Sequence, residues 1–173
     1  MKQALFMNFL VDKENMQIKV EREFDAPLNL VWAAWTESEI LDQWWAPKPW
    51  KTETKEMNFT EGGYWLYAMK GPEGEVHWCR NDYHSITPLK SFSGLDAFCD
   101  EAGNVKPDFP QSKWANTFAE NNSTTTVNIQ ISYDKLSDLE AIIEMGFKEG
   151  FTAALENLDE WLSINAKKNV SAF

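Results

Sequence analysis

Arg80, Asp82 and His84 stand two apart in the stretch 75–86, with Trp78 and Ile86 continuing the same spacing. Side chains alternate along a strand, so these five would share one face. There the Asp82 carboxylate can pair with the Arg80 guanidinium and orient the His84 imidazole as a general base. Turned inward beside aromatic rings, such a row is a site; turned outward, it is a solvated face carrying an ordinary ion pair. The opposite set, His77, Cys79, Asn81, Tyr83 and Ser85, is equally polar. The pattern therefore leaves open which face is inside.

A second group of residues could bind rather than react. The chain has nine Trp, and aromatic residues make up 14% of its length. Trp45, Trp50, Trp65, Tyr67, Trp78, Phe92, Trp114, Phe118, Phe147 and Phe151 would either fill a close-packed core or wall a cavity for an apolar or aromatic ligand. Gly150 belongs with them: together with Gly146 and Ala154 it makes a row of small residues spaced four apart. Glycine inside a helix costs about 1 kcal/mol relative to alanine, so close approach to a curved sheet, or room left for a ligand, should compensate.

Other chemistries find little support. His77 and His84 are the two histidines, and seven residues apart on a strand they face opposite ways, which does not make a metal site. No Gly-x-Ser-x-Gly elbow and no glycine-rich phosphate loop occurs. Nicotinamide, ATP and metal ions are accordingly not expected as cofactors.

The elements that must position these residues follow from periodicity. Met16, Ile18, Val20 and Phe24 alternate with polar residues as a half-buried strand, and residues 4–11 can pair with it as a hairpin. Pro27 suits a helix start, and Leu28, Val31, Trp32 and Trp35 follow at helical spacing. Thr36 and Glu39 read as a capping box opening a second short helix, which Pro47 and Pro49 end. Strands are expected at 51–59, 63–70, 75–86, 90–98, 113–120 and 124–133, separated by turn-forming residues and hence antiparallel. The loop 99–112 is a connection, or a lid whose Phe109 reaches a cavity mouth. Ser137 and Glu140 read as another capping box, opening one long helix to about Ile164 with Leu139, Ile143, Phe147, Phe151, Leu155, Leu158 and Leu162 as its apolar stripe. A sheet with one apolar face needs a cover, and a helix of that length can cross it. The expected class is α+β: a curved antiparallel sheet gripping a long C-terminal helix, one domain over 1–173 with its core at about 16–164.

Composition sets the surroundings. With 173 residues and a net charge of -11, the chain is sized for one hydrophobic core and repels phosphate backbones and anionic lipid. Nucleic acid is not an expected partner. Ala4 to Val11 is apolar, but Asn8 interrupts it and Asp12-Lys13-Glu14 follows where a signal sequence would need small residues. No other apolar run approaches the length of a membrane span. Cys79 and Cys99 read as free buried thiols, and a cytoplasmic location is expected.

Particular blocks also resemble a known family. Arg22-Glu-Phe24-Asp-Ala26-Pro27, Val31-Trp32-Ala-Ala-Trp35-Thr36 and Trp44-Trp45-Ala-Pro47 are similar to the opening of proteins related to the C-terminal domain of the activator of Hsp90 ATPase. Gly62-Gly63-Tyr-Trp65, Tyr83-His-Ser-Ile86-Thr-Pro88, Thr124-Thr125-Thr126 and Gly146-Phe147-x-x-Gly150 continue the likeness in order, over roughly 16–164. The resemblance implies the helix-grip fold of the START and birch-pollen-allergen-like superfamily. The family's members include co-chaperone domains and small-molecule binders. Element order, aromatic excess and the small-residue row lead to the expectation of a binder of a small hydrophobic molecule between sheet and C-terminal helix; the alternatives are an enzyme of the cyclase or hydrolase type found on related folds, using Arg80, Asp82 and His84 in the same cavity, or a chaperone-associated module. Ligand identity and oligomeric state stay open.

Overall fold

The computed structural model describes residues 5–171, with side chains as far as residue 166. Its elements run β1 (Met7–Asp12), β2 (Gln17–Phe24), α1 (Leu28–Thr36), α2 (Ser38–Trp44), β3 (Lys51–Met57), β4 (Tyr64–Lys70), β5 (Val76–Thr87), β6 (Ser91–Cys99), β7 (Ser112–Asn121), β8 (Thr124–Ser132), α3 (Leu136–Glu144) and α4 (Phe147–Ser171). The strands form an eight-stranded sheet in the order β1-β2-β8-β7-β6-β5-β4-β3, antiparallel at every pairing. The expected hairpin of residues 4–11 with β2 forms as β1, save that Ala4 lies outside the described residues. Each strand expected after Lys51 is present within a residue or two of its expected ends.

Alternation explains what the sheet covers. Ile18, Val20 and Phe24 of β2 and Val127, Ile129 and Ile131 of β8 face the helices, where Leu155, Leu158 and Leu162 of α4 meet them in one core. These residues are almost wholly buried. Arg22 shares that inner face; it pairs with Asp159 of α4 and lies against the Phe24 ring, 4.9 Å from its centroid. A buried guanidinium needs such partners, since leaving it unpaired among apolar side chains is costly.

Several local expectations are corrected. Met16 sits in the β1–β2 turn at φ 54° rather than in the strand. Pro27 is the N-cap of α1, one residue outside it. Neither capping box forms: Thr36 ends α1 and its hydroxyl donates to the Trp32 carbonyl, while α2 and α3 begin after Glu37 and Lys135 without a side-chain cap. The single long helix is two helices. Gly146 adopts φ +91°, a conformation glycine reaches without strain, and there the chain turns from α3 into α4. It therefore carries no mid-helix penalty. Gly150 does sit within α4, where an added Cβ would meet the Pro47 ring at 3.8 Å, an ordinary contact.

Candidate functional site

The inner face of the sheet is aromatic toward β3–β7. Phe92 of β6 and Phe118 of β7 stack 5.9 Å apart, and Trp32 meets Phe118 in a T-shaped contact with ring centroids 5.0 Å apart. Trp65 and Tyr67 of β4 stack at 3.8 Å. Trp45, just past α2, packs edge-on against Trp65 at 5.6 Å and Phe151 at 6.0 Å, and its indole donates to the Tyr67 hydroxyl at 3.1 Å. Phe147 and Phe151 stack 5.2 Å apart and close on Trp114. Rings at these separations attract one another beyond the area they bury, which favours a closed interior.

A small void remains in that interior. It lies between α1–α2 and the sheet, under Trp35, Leu41 and Trp45, and its floor is Trp65, Asn81, Tyr83, Phe92, Trp114 and Asn116. Its volume is about 20 Å³, room for roughly one water. The expected place was between sheet and C-terminal helix; no residue of α4 lines it. The helix closes it from one side through Phe151 against Trp45 and Trp114.

The void's polar lining is unusual. The Trp35 indole nitrogen and the side-chain oxygens of Asn81 and Asn116 are buried without a hydrogen-bond partner. A buried polar group left unpaired costs about 1–3 kcal/mol, so several around one void call for a hydrogen-bonding occupant, which a single water can be. Gly94 permits the arrangement: a Cβ there would come within 2.3 Å of the Asn81 oxygen and 2.6 Å of the Asp82 carbonyl.

Asp96 is the other feature of this face. It stands directly across from Asn81 on β5 and Ser112 on β7. Burial, with the Asp82 charge second, pushes its carboxyl up to about 7. Tyr67, Cys79, Tyr83 and Tyr133 all have raised pKa values, each through burial first and the nearby Asp96 charge second. These hydroxyls and the thiol therefore stay protonated at neutral pH.

The anticipated aromatic wall is only partly assembled here. Trp45, Trp65, Phe92 and Trp114 line the void; Tyr67, Phe118, Phe147 and Phe151 form the layer behind it. Trp50 lies apart, stacked on His77 at 5.5 Å, and Gly150 packs toward Pro47. Trp78 is on the outer face, with the Lys55 ammonium 5.8 Å from its ring.

Arg80 and Asp82 also face outward. The guanidinium holds the carboxylate with Nη2 at 2.9 Å and Nε at 3.0 Å, lies 4.2 Å from the Tyr64 ring centroid, and donates to the Gly103 carbonyl at 3.4 Å. His84 is exposed and has no cross-strand partner, because the β5–β6 register shifts between Tyr83 and Ser85. One extra residue flips the alternation beyond it, so Ile86 packs against the core and leaves the face of Arg80 and Asp82. The anticipated Arg80–Asp82–His84 interior site is thus not formed. The loop 99–112 is held by Asp100, which accepts from the backbone and side chain of Asn104 and from the backbone of Ala102 and is thereby kept below the usual carboxylate range. Its Phe109 rests on Phe98 at 5.6 Å rather than at the void.

From sequence neither Asp96 nor Asn116 stands out; Asn81 and Tyr83 fall in the polar set opposite Arg80, and Trp35 among the apolar positions of the first helix. A signal existed in β7: Ser112, Trp114, Asn116 and Phe118 alternate as the buried set, so Asn116 must share the aromatic face.

A curved antiparallel sheet closed by a C-terminal helix, with a void on its inner face, is the helix-grip architecture of ligand-binding and co-chaperone-type proteins. The family described as Activator of Hsp90 ATPase homolog 1-like protein matches residues 25–163, and the chain belongs to it. Among solved structures, a Mycobacterium smegmatis protein is 26% identical, with 92% of this chain and 97% of that one covered at a TM-score of 0.84. An Arthrobacter aurescens protein is 27% identical, covering 90% and 91% at 0.85. A Nitrosomonas europaea protein is 25% identical, covering 92% and 98% at 0.75. No curated protein matches the sequence. Among the described residues, no helix is long and apolar enough to cross a membrane, and no cluster of three potential metal ligands occurs.

Proposed function

We propose that the chain, acting as a single domain, binds a small aromatic or hydrophobic molecule on the inner face of its sheet. The observation that carries this reading is the void walled by Trp45, Trp65, Phe92 and Trp114 with unpartnered polar atoms of Trp35, Asn81 and Asn116 around it. Aromatic walls with a few convergent polar groups are how small-molecule sites combine affinity with orientation. At about 20 Å³ the void holds no such ligand as it stands, so binding requires Trp45 and the Phe147–Phe151 pair to part from Trp114. Free thiols at Cys79 and Cys99 accord with a reducing, cytoplasmic setting.

Native mass spectrometry of freshly purified protein, before and after organic extraction, tests the reading together with an NMR titration using toluene. An extractable extra mass, or shifts confined to the Trp45, Trp65 and Trp114 indole signals, is the expected result. A bare 20.0 kDa species with unmoved indole signals would sink it.

A second reading, binding of a chaperone-type partner through the outer surface, is favoured by the family membership. Stimulation of an Hsp90 ATPase by the purified chain would support it, and no stimulation or co-purification would remove it. The enzyme reading on Arg80, Asp82 and His84 required His84 inside, and His84 is exposed.

A further inference from the structure

Around this void the buried polar atoms without a partner are one donor, the Trp35 indole nitrogen, and two acceptors. The Asn81 and Asn116 oxygens are unpaired, and among the described residues no hydrogen bond or ion pair engages the Asp96 carboxylate, which is absent from every such contact. The groups that act electrostatically with Asp96 are Tyr67 from β4, Cys79, Asp82 and Tyr83 from β5, Cys99 from its own strand, and Tyr133 after β8. None is a cation. No Lys, Arg or His lines the void either. Aromatic rings, of which Trp35, Trp45, Trp65, Tyr83, Phe92 and Trp114 line it, attract a cation over their faces, more strongly when water is excluded.

We propose that the ligand of this site carries a protonated amine, placed between Asn81 and Asp96 with its apolar part among Trp45, Trp65 and Trp114. The ammonium group supplies N–H donors for the Asn81 and Asn116 oxygens and the charge that Asp96 lacks. The Trp35 indole is left to donate to a hydroxyl or carbonyl on the same ligand, or to a water. This inference rests on the inner-face binding reading and adds the chemical class of what is bound. The surplus of negative charge, -11 over the chain, draws cations toward the molecule.

Three probes of similar shape separate the alternatives: 2-phenylethylamine, 3-phenylpropanol and 3-phenylpropionate, titrated at pH 8 with the indole NMR signals as readout. The amine should bind most tightly. Asp96→Asn should weaken the amine about 10- to 100-fold, the range of a charge-assisted hydrogen bond in a shielded site, and leave the alcohol unchanged. Amine affinity should also fall about tenfold from pH 8 to pH 6, because the proton on Asp96 then competes with the ligand. Tighter binding of the alcohol or the acid, or an amine affinity untouched by Asp96→Asn, would overturn the inference while leaving the inner-face reading standing. If none of the three perturbs the indole signals, both fall.

Discussion

Replacing Asp96 by asparagine tests the interior electrostatics without any ligand. The carboxyl, ordinarily near 3.8, is held at about 7 by burial and by the charge of Asp82. A raised carboxyl pKa means the folded state binds a proton that the unfolded chain gives up more readily. The destabilisation is complete above pH 7, shrinks as pH falls, and vanishes below the unfolded value. At about 1.4 kcal/mol per pKa step, ionised Asp96 costs the fold about 4 kcal/mol at pH 8. Asp96 keeps some solvent contact, so that figure is a ceiling. Asparagine has nearly the same shape and no charge. Urea unfolding followed by tryptophan fluorescence should therefore show Asp96→Asn more stable than the parent by about 2–4 kcal/mol at pH 8, and by less than half that at pH 5. Equal stabilities at pH 8 would show that the carboxylate is solvated or paired. An advantage unchanged at pH 5 would show that packing or hydrogen bonding, not charge, produces it.

Other substitutions probe the surrounding structure. Gly94→Ala drives a methyl into the Asn81 oxygen and the Asp82 carbonyl, and should lower stability by about 1–3 kcal/mol in urea unfolding while shifting the Asn81 side-chain NMR signals. Leu155→Ala empties a fully buried position where α4 meets the sheet, and a loss of about 2–5 kcal/mol is expected by the same assay. Arg80→Ala removes an outward ion pair whose side chains are 27% and 35% exposed. It should cost under about 1 kcal/mol; a larger loss would show that the guanidinium's hold on Tyr64 and Gly103 is structural.

Much of the fold is legible in the sequence because one physical signal repeats. Strand alternation and turn chemistry locate β1 to β8 from single residues such as Ile18, Val20 and Phe24, since each strand must hide every second side chain. Helix ends were less legible. Thr36 and Ser137 carry the residue types of a cap, yet in the folded chain Glu37 and Lys135 hold the N-cap positions. A hydroxyl can bond backward into the preceding turn as readily as forward, and packing decides which. The break at Gly146 was hidden for a related reason: apolar residues keep helical spacing on both sides of it, whereas φ is a property of the folded backbone.

The site shows the same division. Sequence alone determined that aromatic residues are abundant, that acidic groups outnumber basic ones, and that β5 alternates two polar faces. Only the tertiary structure decided which face is inside. Trp65 and Tyr67 lie directly across from Asn81 and Cys79, so burying β4's rings carries Asn81 and Tyr83 inward and leaves Arg80 and Asp82 outside. The register shift after Tyr83 then detaches Ile86 from that row. Asp96 and Asn116 acquire their character in the same way, since a carboxyl or amide has no unusual chemistry until distant strands remove its water. How far an aromatic interior closes is likewise set by where rings from six separate elements meet, and no local pattern encodes that distance.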